Sequence, residues 1–335
     1  MSTLRIALII CTYRRPKSIL SLLESIKSQS VLPDELLIID ASEDNQTEIA
    51  IQQTALVGLR YIQVGINHRG LTKQRNFGIK LVSDHSQIVC FLDDDVILDK
   101  NYFKEILGAY AQFPETLGVG GYITNEVDWV SKAPEKKYGL NYFCFDGWAR
   151  REGLRFKVRR ILRLDSDVPP GHTPLFSHGR SISHLPPSGK IYNVEQLMGG
   201  VSSYRKSVFE NHAFSSYFEG YGLYEDADFS IRVSKIGALL VNTKAKLSHH
   251  HAAGGRPNSF KYGKMVVRNG YYVWRVKNPR PRAVDRVKWH AITLLLMSIR
   301  ALNIMTGPKR KQAFFETVGR KWGWLSLFFS TPKNY

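Results

Sequence analysis

The feature that most constrains the fold is an alternation of short apolar runs with amphipathic segments over the first hundred residues. The first run, residues 4–12, is continuous and rich in β-branched residues, as in a parallel strand buried on both faces. Similar runs cover residues 35–41, 59–64 and 88–92, and apolar residues at helical spacing lie between them. A β-α-β-α-β-α-β order needs crossover connections. The sequence therefore predicts an α/β fold with a doubly wound, mostly parallel sheet.

Polar residues follow three of these runs where the strands end. Thr12 ends the first run, Asp40 ends the second, and Asp93-Asp94-Asp95 ends the fourth. Sheets of this kind bind ligands at the carboxyl ends of their strands. Three adjacent carboxylates are costly to bury without a cation, and oxygen ligands suit Mg²⁺ or Mn²⁺. Taken alone, the triplet is equally compatible with an acidic cap on a helix starting near Asp99, and Asp40 with a turn residue.

The charge balance indicates an anionic partner. The chain has 335 residues and a net charge of +18, which suits a nucleotide, a phospholipid, a polyanionic glycan or a nucleic acid. Its three cysteines form no CxxC pair, which fits a reducing compartment. Cys11 and Cys90 lie in predicted strands, and Cys144 lies in an aromatic, irregular segment, residues 129–148, that is expected to be a loop. No signal peptide is expected, and the longest apolar candidate, residues 291–299, is too short to span a bilayer. These features predict a cytoplasmic protein, soluble or peripheral at the inner face of the membrane.

Two further polar groups have a functional and a structural interpretation. Gln74-Arg75-Asn76 lies on the helix before the acidic strand and could equally be an exposed polar helix face. Glu225 and Asp226 start a later helix, where they suit either helix capping or general-base catalysis. Arg232 can pair with Asp228 one turn away, which leaves Asp226 as the less committed acid.

The His249-His250-His251 triplet follows a predicted short strand, residues 239–242, and a helix is predicted earlier, near residues 205–211. Alternation places His249 and His251 on one face, where one imidazole could join an Asp-bound cation; a surface histidine run is the alternative. No cysteine or carboxylate nearby completes a zinc set. The dinucleotide-binding and P-loop glycine patterns are absent from the sequence, which argues against an oxidoreductase and a P-loop NTPase.

Together these segments make the chain similar to a family-2 glycosyltransferase with a GT-A fold. The resemblance covers about residues 4–252. It rests on the order and spacing of these segments: Ile10–Arg15, Ile38–Asp40, Gln74–Gly78, Phe91–Asp95, Gly199-Gly200 with Ser203–Arg205, Gly222 with Glu225–Asp228 and Arg232, and the histidine at His249.

The resemblance implies an inverting transfer from a nucleotide-sugar donor, with Mg²⁺ or Mn²⁺ on the diphosphate. It implies that Asp226 is the catalytic base and that Asp95, with His249 or His251, holds the metal. Asp40 would contact the nucleotide base and Asp93 the ribose, whereas Asp94 suits a structural role best. The residues assigned to the donor site are Thr12, Tyr13, Arg14, Asp40, Arg75, Asp93, Asp94, Gly200 and Glu225.

The predicted domains are a catalytic domain, residues 1–252, and a helical basic region, residues 253–335. The catalytic domain would comprise a nucleotide-binding half, 1–125, and an acceptor half, 126–252, with a mobile insertion at about 149–190. Basic and aromatic residues at 149–163 and 320–329 suggest contact with an anionic membrane, whereas residues 289–304 suggest a helical core.

The expected partners are a nucleotide-sugar, favouring UDP over dTDP or GDP, and a glycan or lipid-linked acceptor. A metal-dependent phosphotransferase and a basic nucleic-acid-binding protein are the alternatives. The second explains the charge but not the acidic strand ends, and nucleic acid is not an expected partner because the usual binding motifs are absent from the sequence. A phosphotransferase would release phosphate or pyrophosphate instead of UDP.

Overall fold

The computed structural model describes residues 4–52, 54, 56–133, 135–251 and 257–332. It divides into two compact units, the first made of residues 1–127 and 181–255 and the second of residues 128–180 and 256–335. The predicted domain boundary at residue 252 lies outside the described residues and stays a prediction.

Four parallel strands form one half of the sheet in the first unit. Their bounds are β1 Ile6–Thr12, β2 Glu35–Asp40, β3 Leu59–Gln63 and β4 Ile88–Asp93. They lie in the order β3-β2-β1-β4, with every neighbouring pair parallel. β1 and β2 are buried along almost their whole length, as expected for strands covered on both faces. The β-α repeat predicted from the sequence is confirmed.

Helices connect these strands and flank the sheet. Their bounds are α1 Pro16–Lys27, α2 Gln46–Gln52, α3 Leu71–Leu81 and α4 Tyr102–Gln112. α1 starts with proline, whose missing N–H costs nothing at a first helical position, and it buries Ile19, Leu22, Leu23 and Ile26. α2 ends earlier than the predicted Leu56, because the Thr54 N–H closes a tight turn on the Ile51 carbonyl.

The other half of the sheet mixes strand directions. Its strands are β5 Val96–Leu98, β6 Gly118–Ile123, β10 Ile191–Val194, β11 Val201–Arg205 and β12 Leu239–His249. β11 runs antiparallel between β4 and β6, and β12 is parallel to β6 and antiparallel to β10 and β5. The nine strands in the described part of this unit follow the order β10-β12-β6-β11-β4-β1-β2-β3, with β5 on β12. This mostly parallel mixed sheet is a GT-A fold.

Two elements in this half differ from the prediction. β12 continues to His249, far past the predicted end at residue 242, because a register irregularity between Val241 and Lys246 lets it pair with β6 and then with β5. The helix predicted at residues 205–211 is a short 3-10 helix, Lys206–Glu210, since β11 extends through Arg205 to pair with β4. The predicted helix near residue 225 is confirmed as α6, Glu225–Ser234.

The second unit contains a small antiparallel sheet where an irregular aromatic loop was expected. Its elements are β7 Val130–Ser131, β8 Tyr142–Phe145, β9 Trp148–Arg151 and the helix α5 Leu154–Ile161. The expectation that Cys144 lies in a loop is wrong, because it pairs with Ala149 across the β8–β9 hairpin. Asp146 and Gly147 both have left-handed backbone angles, the conformation that a two-residue Asp-Gly hairpin turn requires.

Buried ion pairs follow this sheet. Arg159 of α5 is fully buried and donates to the His178 carbonyl oxygen. Arg180 donates to Glu152 at 2.9 Å and to Asp165 at 2.6 Å. Part of the positive charge of residues 149–163 is therefore buried inside the second unit.

Three long helices complete the second unit and confirm the helical C-terminal region. They are α7 Ser259–Lys277, α8 Ala283–Thr306 and α9 Arg310–Ser326. α7 and α9 cross closely, and a Cβ added at Gly263, Gly319 or Gly323 would meet the backbone of the facing helix. The adjoining aromatic cluster includes Trp274 stacked on Trp289, with ring centroids 5.6 Å apart.

Candidate active site

The carboxyl ends of β1, β2 and β4 meet at one edge of the sheet in the first unit. Thr12 lies beside Asp40 in the β1–β2 register, and Cys11 lies beside Asp93 in the β1–β4 register. The predicted polar residues are thus brought together by the parallel pairing alone.

The Asp94 carboxylate is buried and hydrogen-bonded to other residues of the protein. Its carboxylate accepts hydrogen bonds from Thr12 Oγ1 at 2.6 Å and from Arg15 at 2.9 Å. Burial raises the pKa of Asp94 to about 6, although Thr12 and Arg15 act against that shift. These contacts fix the loop after β1 onto β4. They favour a structural role, and direct contact between the donor and Thr12 or Asp94 stays a prediction.

Asp95 lies against His249, which the strand pairing carries to it. Val96 of β5 is in register with His249 of β12, and the His250 N–H donates to the Asp95 carbonyl oxygen at 2.9 Å. As a result, His249 Nε2 lies 3.1 Å from Asp95 Oδ1. Asp93, two residues earlier, keeps 41% of its side chain exposed.

The other ring nitrogen of His249 contacts Glu126. The distance from Nδ1 to Glu126 Oε1 is 3.0 Å. Hydrogen bonds to Asp95 and Glu126 raise the pKa of His249 to about 10. The Asn125 side chain also accepts from the His249 N–H and donates to its carbonyl oxygen, both at 2.9 Å. Both the backbone and the ring of His249 are therefore held in place, with Nε2 directed to Asp95.

The three histidines have different surroundings. His251 is exposed, and its Nε2 lies 3.2 Å from Glu126 Oε1. The His250 ring contacts Ser248 Oγ at 2.9 Å. Among the described residues, His249 is the histidine that pairs with the acidic triplet, through Asp95.

The possible metal ligands of this site fit a divalent cation that prefers oxygen ligands. Ligand atoms of Asp93, Asp95 and His249 all lie within 4.8 Å of one another, as do those of Glu126, His249 and His251. The first group offers two carboxylates and one imidazole, a set compatible with Mn²⁺ or Mg²⁺. Gly200 makes room for this group, since a Cβ there would collide with the Asp93 carboxylate.

The Gln74-Arg75-Asn76 segment of α3 faces the protein, so the interpretation as an exposed polar face is wrong. Gln74 Nε2 donates to the carbonyl oxygens of Thr12 at 3.1 Å and Ile39 at 2.8 Å, which ties together the ends of β1 and β2. Buried Arg75 pairs with Glu225 at 2.5 Å and lies 3.7 Å from Asp93.

The two acids at the start of α6 occupy different environments. Glu225 is buried; burial raises its pKa, and the ion pair with Arg75 acts against that shift. Asp226 is half-buried, accepts from the Gly199 and Ala227 N–H groups, and has no cationic partner among the described residues. The predicted pair between Asp228 and Arg232 is confirmed at 2.8 Å. Asp226 is therefore the carboxylate of this group that remains available for chemistry.

Asp40 is fully buried. One oxygen accepts from the Ser42 N–H at 2.8 Å and from Ser42 Oγ at 2.5 Å, and the other accepts from the Tyr61 hydroxyl at 2.9 Å. These contacts match the turn interpretation, and the predicted contact with a nucleobase stays a prediction.

The loop after β1 is cationic and exposed. Arg14 and Arg69 both lie over the Tyr13 ring, at 5.2 and 5.5 Å from its centroid, and both pair with Glu43. Arg14 has a left-handed backbone, with φ of 54°. This cluster places two guanidinium groups near the strand ends.

Residues 7–179, just over half of the chain, match the sequence model of the family described as "Glycosyl transferase family 2". The chain belongs to glycosyltransferase family 2. The resemblance deduced from the motif order is thus confirmed.

Individual relatives of this glycosyltransferase are distant. A protein of Haloferax volcanii named "Glucosyl-dolichyl phosphate glucuronosyltransferase" is 23% identical over 134 residues, which cover 39% of this chain and 42% of the relative. The structure titled "Crystal structure of S. aureus TarS" has a TM-score of 0.48 and 15% identity, and the match covers 90% of this chain and 44% of TarS. The chain thus spans less than half the length of either protein.

Sequence reasoning missed Asn125, Glu126, Arg15 and Arg69. Glu126 follows β6 in an irregular segment, and no motif marks it as a neighbour of His249. Arg15 was part of a quoted motif, but its pair with Asp94 depends on the β1–β4 register. Only the tertiary structure brings Arg15 to Asp94, Asn125 and Glu126 to His249, and Arg69 to Glu43.

Proposed function

We propose that this protein transfers a sugar from a nucleotide-diphosphate donor to an acceptor hydroxyl with inversion at the anomeric carbon. The observation that carries the proposal is the cluster of Asp93, Asp95 and His249, together with an Asp226 carboxylate that has no cationic partner among the described residues. The Gly199 N–H that donates to Asp226 precedes Gly200, where an added Cβ would meet the Asp93 carboxylate. A UDP-sugar is the favoured donor, with dTDP- and GDP-sugars as alternatives.

Asp226 is the proposed general base. It would take the proton of the acceptor hydroxyl while that oxygen forms the bond to the anomeric carbon and the bond to the departing nucleotide diphosphate breaks. The Gly199 N–H, which donates to Asp226 Oδ2 at 3.1 Å, orients the carboxylate. A positioned base of this kind contributes a factor of roughly 10²–10⁴ in rate.

Asp95 and His249 are the residues proposed to hold Mg²⁺ or Mn²⁺, with Asp93 beside them. Such a cation neutralises charge that builds up on a diphosphate leaving group. His249 is preferred over His251, because its Nε2 is the one directed at Asp95. Arg75 is proposed to hold Asp93 in place, and Glu225 to hold Arg75.

The acceptor is proposed to be a glycan or a lipid-linked glycan, in the synthesis of a cell-surface polysaccharide or glycolipid. The printed name of the Haloferax relative, a glucosyl-dolichyl phosphate glucuronosyltransferase, supports a lipid-linked acceptor. The net charge of +18 fits a peripheral location at the anionic inner face of the membrane, with residues 149–163 and 320–329 as predicted contacts.

The variant Asp226→Asn tests the base. The amide keeps the size of the side chain and an acceptor for the Gly199 N–H but cannot take a proton. We expect donor affinity to be retained and the transfer rate to fall by roughly 10²–10⁴. Turnover near that of the wild type would refute the assignment.

A thermal-shift screen of UDP-, GDP- and dTDP-sugars, with and without Mn²⁺, identifies the donor class. We expect one nucleotide to raise the melting temperature more when Mn²⁺ is present, and the variant Asp95→Ala to lose that extra shift. Unchanged UDP affinity of Asp95→Ala with Mn²⁺ in calorimetry would refute the metal assignment.

A further inference from the structure

One end of the helical unit exposes apolar side chains on α8. By length and composition alone, α8 is the one helix among the described residues that could cross a membrane, with a mean hydropathy of 1.2 over its best window and only 11% of that window buried. Trp289 and Ile292 are buried, whereas Leu302 and Met305 are exposed, Met305 by 75%. The buried residues of α8, Asp285, Trp289 and Ile292, all lie in its N-terminal half, and its C-terminal half buries none.

α9 presents a second apolar stripe. Phe314, Phe315, Val318 and Trp322 recur at three- and four-residue spacing, so they share one face of the helix, and all four are exposed. The opposite face, with Ala313, Gly319 and Gly323, packs on α7. The exposed stripe is thus the side of α9 turned away from its helical neighbour.

Cations surround the turn that joins these helices. Lys309, Arg310 and Lys311 are consecutive and exposed, and none of them forms an ion pair within the part of the chain that the structure describes. They line an open groove of about 900 Å³ together with Phe260 and Phe315. Aromatic and aliphatic side chains next to unpaired cations are the composition of a surface that lies in the headgroup region of a membrane.

We propose that the end of the α8–α9 hairpin, residues 302–322, is a membrane-contacting surface that binds an anionic phospholipid bilayer. Arg310 and Lys311 would meet the headgroups, while Met305, Phe314 and Trp322 enter the boundary of the acyl region.

The hairpin lies on the bilayer and does not span it. Arg300 and Arg320 both pair with buried Glu316, at 2.7 Å each, so a spanning α8 would carry this ion network into hydrocarbon. The N-terminal half of α8 is also occupied in the aromatic core through Trp289.

This surface shares only residues 320–322 with the segments expected from the sequence. Leu327, in the predicted contact segment 320–329, belongs to the core, and Trp324 packs against it and donates to His290 at 3.0 Å. In the segment 149–163, Arg159 is fully buried and Arg160 pairs with Glu152. The residues expected to form a core, 289–304, include buried Trp289 and Ile292 but also exposed Leu302.

Flotation of the full chain with large unilamellar vesicles tests the proposal. We expect binding to vesicles of phosphatidylcholine with phosphatidylglycerol, weak binding to phosphatidylcholine alone, and a decrease as salt rises. Each cation near an anionic surface contributes roughly a fivefold factor in partitioning, so Arg310→Ala with Lys311→Ala should weaken binding about 25-fold.

The other end of α8 supplies matched controls. Arg280 and Arg286 are exposed cations there, about 30 Å or more along the helix from the turn, and Val284 and Val287 are exposed apolar residues. We expect Arg280→Ala with Arg286→Ala to leave binding within about twofold of the wild type. Likewise, Met305→Ser with Phe314→Ser should weaken binding at least tenfold, whereas Val284→Ser with Val287→Ser should not.

Trp322 supplies a readout of depth. Brominated lipids should quench part of the protein fluorescence, and the variant Trp322→Phe should lose that part, since Trp322 is 56% exposed on the proposed surface. Thermal unfolding of each variant shows that the fold is kept.

Three results would overturn the inference: no binding to anionic vesicles, equal losses in the turn and control variants, or unchanged quenching in Trp322→Phe. A concentration-dependent dimer that Met305→Ser with Phe314→Ser disrupts, without vesicle binding, would assign the surface to a second copy of this chain instead. The biological role of this surface rests on the proposed function, but the binding to vesicles does not, because the vesicle experiment contains neither donor nor acceptor. Its failure would leave the transfer assay unaffected.

Discussion

The variant Glu126→Ala removes the carboxylate that accepts a hydrogen bond from His249 Nδ1. Without a cation both ring nitrogens of His249 face a carboxylate, with Nδ1 3.0 Å from Glu126 and Nε2 3.1 Å from Asp95. If Nε2 binds a cation in place of its proton, Glu126 would keep the proton on Nδ1. Carboxylates that orient a metal-binding histidine in this way fix its tautomer and increase its basicity. Glu126 is therefore a positioning residue, and we expect its loss to weaken binding of a cation at Asp95 and His249.

The expected loss can be bounded from the contacts that remain. Removing such a partner typically costs 10- to 100-fold in metal affinity, or about 1.4–2.7 kcal/mol. Asn125 would still hold the His249 backbone through two hydrogen bonds of 2.9 Å, so the ring would be loosened but not displaced. We therefore expect a loss near the middle of the range, roughly 30-fold.

Calorimetric titration with Mn²⁺, without any sugar donor, measures this loss on the full chain. The variant Glu126→Gln should fall between alanine and the wild type, because its amide oxygen still accepts from Nδ1 but carries no charge. Glu115→Ala, a change at an exposed glutamate, is the control and should bind Mn²⁺ like the wild type. Thermal unfolding of each variant without Mn²⁺ separates a positioning role from loss of the fold.

The reasoning would be refuted if both Glu126 variants bound Mn²⁺ like the wild type while Asp95→Ala did not bind it. In that case the contact between Glu126 and His249 would be incidental to the cation. Weakening by His251→Ala as strong as that by His249→Ala would instead favour the second ligand group, in which Glu126 itself is a ligand.

Further predictions concern the glycines, the buried ion pair and pH. Gly200→Ala places a Cβ on a carboxylate of the acidic triplet, so calorimetry should show lost donor affinity, whereas Gly65→Ala, with open space around the Cβ, should be neutral. Arg75→Met leaves Glu225 buried without its partner and should lower the free energy of unfolding by about 3–5 kcal/mol in urea titrations, and adding Glu225→Leu should restore most of it. His249 has a raised pKa, so without added cation its protonated ring should contribute fully to the free energy of unfolding below about pH 6.5. This contribution should disappear as the pH rises through about 10. Unfolding free energies measured against pH for the wild type and for His249→Gln test this.

The parallel half of the sheet was predictable because its signal is local. Continuous β-branched runs such as Leu4–Thr12 are hard to place anywhere but in a doubly covered strand, and the helical spacing between them permits one kind of connection. The strand ends then follow from the pairing, which is why Thr12, Asp40 and Asp93 were predicted at one edge.

The surroundings of His249 could not be predicted in the same way. They depend on a long strand with a register irregularity that pairs first with β6 and then with β5, and both pairings join residues far apart in sequence. The triplet of histidines looked symmetric in the sequence. Register alone brings His249 to Asp95 and leaves His251 exposed.

In segments that mix apolar and cationic residues, the exposure of each apolar side chain is hard to predict for a different reason. In α9 the apolar and aromatic residues divide between a stripe exposed to solvent, with Trp322, and a face that meets the core, with Trp324. The glycines at 319 and 323 decide this division, since they let α9 approach the α7 backbone on one side only. Hydrophobicity marks such residues as apolar, and only the packing shows which of them remain exposed.

The adjacent acids Glu225 and Asp226 show how one local pattern can supply two roles. Successive residues of a helix point about 100° apart, so the first two positions of α6 cannot face the same surroundings. Glu225 faces α3 and is neutralised by Arg75, which itself lies 3.7 Å from Asp93. Asp226 faces Gly199 and accepts only backbone N–H donors there, so its carboxylate keeps the capacity to take a proton. The buried acid thus holds the arginine behind Asp93, and its neighbour is left as the proposed base.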